Sequence, residues 1–598
     1  MEKEKFPTKL KLVLYFLQGS KKYFFLSIIF AILSSLFDLI NPKIIGFTVD
    51  AIIGDAPKKL PAFLSSFLSI DMLKGNLLLV AALVMLVALI GAICRYLFSL
   101  MNSTGAETLV MTMRNRLFEH IEHLPFAWYV KNPTGDLIQR CTNDVEMVKN
   151  FLSEQLTGMF RIIVMLVIGL TFMSSISVKL MLVALVFLPI IVLYSLFFHN
   201  KLAATFAVAD EEEGNLSSIA QENLTGVRVV RAFGRERYEK ARFEKQNDIY
   251  TAAYMKLSAL MSAFRSIGEG ISGLQVFVIV VLGTLAVYHG EMTPGNFIAF
   301  ISYNAMLVWP IRRLGRVISE MSRAGVSIDR IRYIMNAQEE VNIAQPLKPD
   351  MHQDIIFDHV TFRYDEQGPD IIKDVSFAIE KGSTIGILGG TGSGKSTLMY
   401  LLDRLYPVTK GKITIGGVDI RDIDSDYLRS NIGLVLQEPY LFSRSLKDNI
   451  AIANDKAQFA DIEEASRIAS LDHAINHFKH GYDTFVGERG VTLSGGQKQR
   501  TAIAQMVIQH APVMIFDDSL SALDAETDAK IRHALKTATG QATVILISHR
   551  ITTLMNADQI LVLNHGKIAE VGTHEELYKQ NGIYKKICDI QNIGGRHA

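Results

Sequence analysis

Gly389-Gly390-Thr391-Gly392-Ser393-Gly394-Lys395-Ser396 decides the architecture of the half of the chain that contains it. The octapeptide fits the spacing G-x-x-x-x-G-K-[ST]. A β-type run, 384–388, precedes it and a helix-like run, 397–405, follows, which is the strand–loop–helix setting this spacing requires. Its glycines let backbone N–H groups turn toward a triphosphate at a helix N-terminus. Lys395 is placed to reach the β- and γ-phosphates, and the Ser396 hydroxyl to bind Mg²⁺. Such a loop needs an acidic residue at the end of a neighbouring strand. Val513-Met514-Ile515-Phe516-Asp517 supplies one, with Asp517 set to hold Mg²⁺ through water.

Outward from this loop, further short β-type runs occur at 355–357, 433–436, 543–547 and 559–563, with helix-like segments between several of them. Strands alternating with helices predict an α/β domain with a largely parallel sheet, spanning 338–590 and leaving 591–598 as a tail. The polar stretch 338–354, with Pro346 and Pro349, is the linker that opens it.

Before the linker the composition is different. The whole chain has 598 residues, of which 49% are hydrophobic and 20% charged, with a mean hydropathy of +0.23. These averages exclude disorder and collagen-like repeats. Lys and Arg total 61 against 60 Asp and Glu, so no basic surplus points to nucleic acid. Three distant cysteines, Cys94, Cys141 and Cys588, exclude a disulfide scaffold. Six uncharged apolar runs precede residue 312, at 23–37, 77–94, 162–178, 180–198, 270–288 and 292–311. A bilayer core takes about 20 helical residues. The runs therefore predict an all-α transmembrane domain over 1–337, with spans near 23–49, 77–101, 155–178, 180–201, 266–288 and 292–318.

Basic residues set the expected orientation. Residues 1–22 carry six, 95–161 seven and 199–269 ten, whereas the hairpin between the third and fourth runs has only Lys179 and 289–291 has none. Both termini and the α/β domain are thus expected in the cytoplasm, the protein being multi-pass in the cell's inner (plasma) membrane. No small-residue cleavage site follows the N-terminus. Leu10, Val13, Leu14 and Leu17 recur at helical spacing and predict an interfacial helix. The segments 100–125 and 200–265 have helical composition, so the spans are expected to continue as helices beyond the bilayer. Breaks at 128–136 and 223–226 read either as ordinary turns or as tips that touch a cytoplasmic partner.

With Leu493-Ser494-Gly495-Gly496-Gln497 the residues reach a family. The segment resembles the signature motif of ATP-binding-cassette transporters. Tyr364, Gln437, Gly487-Glu488-Arg489-Gly490, Ser521-Ala522-Leu523-Asp524 and Ser548-His549 follow the family's order and spacing. Six spans ahead of such a domain resemble an exporter-type half-transporter of the multidrug or lipid class, so the resemblance covers nearly the whole chain. It implies an ATPase coupled to transport, with ATP and Mg²⁺ as cofactors. ATP would be held by Gly389, Gly390, Thr391, Gly392, Ser393, Gly394, Lys395, Ser396 and Thr397, with Tyr364 stacking on adenine. Ser396, Gln437 and Asp517 would serve Mg²⁺, Gln437 would also approach the attacking water, and His549 would contact the γ-phosphate. Ser494, Gly495, Gly496 and Gln497 would complete a nucleotide site held mainly by a second half-transporter subunit, with Asp524 at the seam. The breaks near 132–135 and 223–226 resemble the family's coupling helices.

One position departs from the family pattern. Asp518 stands where the catalytic Glu is usual, one methylene shorter. A misplacement of about an ångström can cost on the order of 100-fold in rate. The departure favours a site that binds more than it hydrolyses, paired in a heterodimer with a paralogue that carries Glu. The alternative keeps Asp518 as a working base in a homodimeric lipid flippase, and a third reading is an ATP-gated channel. The cargo expected is a small amphipathic compound, with membrane lipid as surroundings. A leader of about 22 residues before the first span leaves no room for a peptidase domain.

Within the spans, Asp38 with Asn41 on the same helical face is expected to pair with a donor on another helix, or else to attract a cationic substrate. Arg95 and Arg161, at the inner ends of their runs, are expected to snorkel. Pro189 and Pro310 are candidate kinks. Phe297, Phe300, Tyr303 and Trp309 either line a cavity or pack.

Overall fold

Apolar side chains on every face, rather than along one stripe, mark the long helices of the first 335 residues. In Leu77–Glu122, Val80 and Gly91 are buried while Leu78, Met85 and Leu89 are exposed. A helix apolar all round suits a lipid surround. The computed structural model describes residues 4–54, 77–340, 345–520 and 523–591, without the side chains at 199–200, 309–320, 322, 525, 536 and 539. Among the described residues, five helical segments are long and apolar enough to cross a membrane: Lys21–Ile53, Leu77–Glu122, Thr134–Ile176, Val178–Thr225 and Glu236–Tyr288. The sixth expected span lies in the continuous helix Pro294–Met335. The side chains of Trp309 and Pro310, and the basic residues of 55–76, lie outside the described residues.

Helix length decides what happens beyond the bilayer. Leu77–Glu122, Val178–Thr225 and Glu236–Tyr288 have 46, 48 and 53 residues. At about 1.5 Å per residue they reach roughly 70–80 Å, over twice the ~30 Å hydrocarbon core. Pro189 sits inside the second of these helices without ending it. The chain turns at 123–125 and again at Gly226, and each turn leads into a six-residue helix, Phe126–Lys131 and Val227–Ala232.

The first unit comprises Met1–His123 with Asn132–Ala337. Leu39, Met173, Phe300 and Tyr303 are fully buried at its centre, so Phe300 and Tyr303 are core packing. Asp38 pairs as expected with a donor on another helix: Arg95 Nη2 lies 2.8 Å and Arg161 Nη2 3.9 Å from its carboxylate. Both arginines, expected only to snorkel, thus also reach a carboxylate on the first span, with the Arg95 side chain still 53% exposed. A carboxylate removed from water holds nearby guanidinium groups more strongly than exposure to headgroups does. The helix Lys9–Phe16 buries Leu12 and Phe16 while Leu10 and Leu14 remain exposed. Lys9 reaches Asp329 and the Gly325 carbonyl, and Arg116 reaches the Tyr15 carbonyl, so this short helix is strapped to longer ones.

A close approach joins the end of the first span to the start of Pro294–Met335. The π-helical turn Thr48–Ile53 presents buried Asp50, which accepts from the Gly295 N–H and the Thr293 hydroxyl. This contact satisfies orphan donors at the N-terminus of Pro294–Met335 and sets a carboxylate on its positive pole. A Cβ on Gly295 would lie 2.0 Å from the Gly46 carbonyl oxygen and 2.6 Å from the Asp50 carboxyl carbon.

In the second unit, Leu124–Lys131 joins Gln338–Ala598. Its strands are β1 Ile355–Phe362, β2 Ile372–Ile379, β3 Thr384–Gly389, β4 Lys410–Ile415, β5 Val418–Asp419, β6 Ile432–Val435, β7 Val513–Asp517, β8 Thr543–Ile547, β9 Gln559–Asn564 and β10 Lys567–Gly572. They form a six-stranded sheet, β10-β9-β3-β8-β7-β6, parallel except at β10, and an antiparallel sheet, β2-β1-β4-β5. The α/β expectation holds, but the antiparallel sheet is additional to it. β1 and β2 interleave buried with exposed positions, and β4 is exposed in its first half and buried in its second, whereas β3 and β7 are buried almost throughout. The continuous apolar runs are the more visible signal in sequence. Phe126 packs edge-on to Tyr406, 5.6 Å between centroids, and Lys131 pairs with Asp365 at 3.3 Å, which anchors the segment 124–131 in this unit.

Gly295→Ala is expected to destabilise the purified protein by about 1–3 kcal/mol, read as a lowered melting temperature in detergent. Gly273→Ala, where a Cβ meets nothing within 4 Å, is expected to be neutral or stabilising. Equal effects would refute the close-approach argument.

Candidate active site

Parallel register assembles the site. Ile387 on β3 pairs with Ile547 on β8, which pairs with Asp517 on β7, and Phe516 on β7 pairs with Val435 on β6. The residues just past these positions therefore converge: Gly389–Ser396 after β3, Asp518 after β7, Ser548 and His549 after β8, and Gln437 after β6. Ligands of open α/β sheets bind outside the carboxyl ends of the strands, as here.

The phosphate loop turns as its glycines allow. Gly392 and Gly394 have φ of +77° and +102°, a region open to glycine and costly for other residues. Gly394 is the N-cap of the helix Lys395–Leu402, so the helix N-terminus faces the loop. Lys395 Nζ donates to the carbonyls of Gly389 and Gly390 at 2.8 and 2.9 Å. Burial pulls its ammonium below the ordinary lysine range, against the attraction of Asp517 and Asp518. Ser393 Oγ is buried with no hydrogen-bond partner among the described residues. An ammonium resting on carbonyls, an orphaned hydroxyl and unused helix N–H groups together fit a polyphosphate.

Asp517 ends β7 and is only 5% exposed. Burial pushes its carboxyl up; the Ser396 hydroxyl bonded to it pulls it down, Asp518 adds to the rise, and Lys395 opposes it. Carboxylate and hydroxyl oxygens side by side are the hard donor set that suits Mg²⁺, so Ser396 and Asp517 would hold that ion beside the phosphates.

Asp518 has a φ of +47° and its N–H donates to the Ile547 carbonyl at 2.9 Å. Asp is among the residues that enter this left-handed region most readily. Its carboxylate lies 3.0 Å from His549 Nδ1, and the Ser548 hydroxyl donates to it at 3.4 Å. Asp518, Ser548 and His549 thus form one cluster, with the His549 side chain 60% exposed.

Tyr364 follows β1, half-exposed, with its hydroxyl 2.9 Å from Thr397 Oγ1. Its ring stands perpendicular to Phe362 and Tyr406, which orients it over the start of the phosphate-loop helix. Gln437 is exposed in the loop after β6. That loop is tied to the helix Gly495–Val507 through Gln499 Nε2, which donates to the Leu436 carbonyl at 3.3 Å.

The signature residues sit apart, at the N-terminus of Gly495–Val507. Ser494 and Gln497 form a reciprocal capping box: the Ser494 N–H donates to Gln497 Oε1 at 2.8 Å, and the Gln497 N–H to Ser494 Oγ at 3.4 Å. The Gln497 side chain is thereby engaged within its own chain. A Cβ on Gly495 would meet nothing within 4 Å, so the helix end presents an open backbone surface. Asp524 caps Ala525–Thr539, accepting from the Thr527 N–H at 2.9 Å and from its hydroxyl at 2.7 Å. Those bonds hold its carboxyl below the usual range. Ser521 and Ala522 lie outside the described residues. Sequence reasoning left one contributor unassigned, Tyr406, whose ring supports Tyr364 and which belongs to no spaced motif; Thr397, expected at the ATP site, also bonds the Tyr364 hydroxyl.

The family model described as ABC transporter transmembrane region matches residues 24–311, and the one described as ABC transporter matches 372–521. The uncharacterized ABC transporter ATP-binding protein YknU of Bacillus subtilis is 34% identical over 578 residues, covering 96% of this chain and 95% of that protein. The chain belongs to the ABC transporter family. The transporter also shares 30% identity with a putative multidrug export ATP-binding/permease protein, YgaD, of Bacillus subtilis, covering 98% and 99% of the two chains. With the ATP-dependent lipid A-core flippase of Syntrophus aciditrophicus it shares 32%, covering 85% and 84%. A bacterial Atm1-family ABC exporter solved with ATP bound has the same fold, with a TM-score of 0.78 at 24% identity over 96% of this chain and 98% of that one. The transporter is thus an exporter-type half-transporter and a multi-pass membrane protein whose ATPase is coupled to transport. ABC exporters work as dimers.

The raised Asp517 carboxyl has a stability consequence. The folded chain keeps a proton there at pH values where an unfolded Asp, ordinarily near 3.8, has lost it. Stability therefore falls as pH rises through that window, and the whole penalty stands at neutral pH. Asp517→Asn is expected to raise the nucleotide-free melting temperature at pH 7, with the gain shrinking on acidification, while Mg²⁺-dependent nucleotide affinity is lost. A lowered melting temperature at pH 7 would show that the Ser396 bond outweighs burial.

Proposed function

We propose that this chain is one half of an exporter that moves an amphipathic compound out of the cell across the inner membrane by alternating access, with the nucleotide-binding unit and both termini in the cytoplasm. ATP binding closes two such units around nucleotide. Each site takes its phosphate loop, residues 389–397, and Tyr364 from one subunit, and Ser494, Gly495 and Gly496 from the other. Asp524 lies at the seam. Ser396, Asp517 and Gln437 hold Mg²⁺, and His549 meets the γ-phosphate. The short helices Phe126–Lys131 and Val227–Ala232 are the segments through which closure reaches the spans.

The single observation that carries the assembly is the position of Asp518. Its carboxylate is one methylene short of the usual Glu and is bonded to His549 and Ser548, and both features support the reading of a poorly placed base. A poorly placed base favours pairing with a paralogue whose Glu completes the stronger site, served by this chain's Ser494–Gln497 segment. The likeness to a lipid A-core flippase supports a second reading, in which the chain pairs with itself and Asp518 serves as base after a small shift.

Purified alone, the chain is expected to bind ATP and hydrolyse it slowly. Asp518→Glu is expected to raise that rate on the order of tenfold to a hundredfold, and Asp518→Asn to change it little. Brisk hydrolysis by the unmodified chain, abolished in Asp518→Asn, would sink the weak-site assignment and select the homodimeric flippase.

A further inference from the structure

The helix Lys395–Leu402, whose N-terminus faces the phosphate loop, ends in a reversal that re-aims the chain. Arg404 takes a φ of +52°. Its N–H donates to the Leu401 carbonyl at 3.1 Å, and the Leu405 N–H to the Tyr400 carbonyl at 2.8 Å. That pair of bonds is a left-handed helix stop, for which glycine is the usual residue. Here an arginine adopts the costlier conformation, and its guanidinium is held by the Ile420 and Ile423 carbonyls at 3.0 and 2.7 Å. Two residues past the stop, Tyr406 lies only 7% exposed against Tyr364.

Three contacts fix the Tyr364 ring. Tyr406 stands perpendicular to it with centroids 5.0 Å apart, and Phe362 does the same at 4.9 Å. The hydroxyl at its tip lies 2.9 Å from Thr397 Oγ1. Tyr364 is still 43% exposed, so ring surface remains for a base to cover.

Tyr406 is supported in turn from the segment 124–131. Phe126 stands perpendicular to it at 5.6 Å, and Ala127 packs on the apolar cluster that contains Tyr406 and Phe362. At the other end of the same six-residue helix, Lys131 pairs with Asp365, the neighbour of Tyr364, at 3.3 Å. That ion pair is mostly exposed on both sides and contributes little. The hold therefore comes from the aromatic contact, whose inner ring is buried.

We propose that the segment 124–131 is part of the adenine platform. Phe126 backs Tyr406, Tyr406 sets the plane of Tyr364, and both act as positioning residues for the base. This deepens the reading above in which Tyr364 stacks on adenine, and it rests on that reading. The phosphates fall to Lys395 and the loop glycines, which take no part in these aromatic contacts, so the series acts on the base alone. Linkage makes the relation reciprocal: a base settled on Tyr364 steadies Tyr406 and the segment behind it.

The test compares adenylyl imidodiphosphate with inorganic tripolyphosphate, each with Mg²⁺, on the full-length transporter in detergent by titration calorimetry. An aromatic pair is worth about threefold to tenfold in an equilibrium constant. Phe126→Ala and Tyr406→Ala are each expected to weaken adenylyl imidodiphosphate by about that factor and to leave tripolyphosphate unchanged. Tyr406→Phe keeps the ring and is expected to bind like the unmodified chain. The double variant is expected to lose little more than Tyr406→Ala, because Phe126 acts through Tyr406. Hydrogen exchange supplies a second readout: adenylyl imidodiphosphate is expected to slow exchange at the amides of 126–131, and tripolyphosphate to leave them as they are. Equal losses for the two ligands would overturn the proposal, since they would mark general damage to the site. So would unchanged affinity in Phe126→Ala and Tyr406→Ala, or equal protection of 126–131 by both ligands. Tyr364→Ala separates the two levels. A loss there, with none in the Phe126 and Tyr406 variants, refutes the positioning roles and leaves Tyr364 on the base, whereas no loss in Tyr364→Ala refutes the stacking itself.

Discussion

The parallel pairing of β3, β8, β7 and β6 is the constraint on which the nucleotide-binding unit depends. Four strands in register end at one level, so the residues that follow them meet although up to 160 positions separate them in sequence. The pairing is driven by burial: Ile387, Val513, Ile515, Ile545 and Ile547 are at most 2% exposed. An apolar sheet closed on both faces leaves its strand ends as the places where polar chemistry can concentrate. Lys395, Ser396, Asp517, Asp518 and His549 all occupy that edge. Their partial desolvation, which pulls Lys395 down and pushes Asp517 up, is the same physical condition that makes a polyphosphate and a divalent cation welcome there.

The first unit solves the opposite problem. Apolar surroundings exert little hydrophobic drive between helices, so specificity falls to close approach and to buried polar contacts. Gly46 against Gly295, with Asp50 capping the last long helix, is one such contact. Asp38 between Arg95 and Arg161 is another. Each ties the first span to a partner distant in sequence.

Much of this was legible from the residues. The phosphate loop, the strand ending in Asp517 and the apolar runs are local patterns whose chemistry requires a particular spacing. The antiparallel sheet was legible only at β1: β2 and β4 mix buried and exposed positions and carry no continuous apolar run. The convergence of Arg95 and Arg161 on Asp38 was not legible, because proximity to a span end says nothing of a carboxylate on a neighbouring helix.

By itself the sequence determined which groups are available: a helix N-terminus with glycines to bare it, a lysine, a hydroxyl, two adjacent aspartates, and a shortened carboxylate at 518. It also determined which stretches prefer lipid. Only the tertiary structure decided how those groups are spent. Asp518 engages His549 and Ser548, Gln497 caps its own helix, and Asp38 holds two arginines. Spacing along a chain fixes contacts within a turn or a loop, whereas contacts across helices and strands depend on register and packing, which are set by burial over the whole fold.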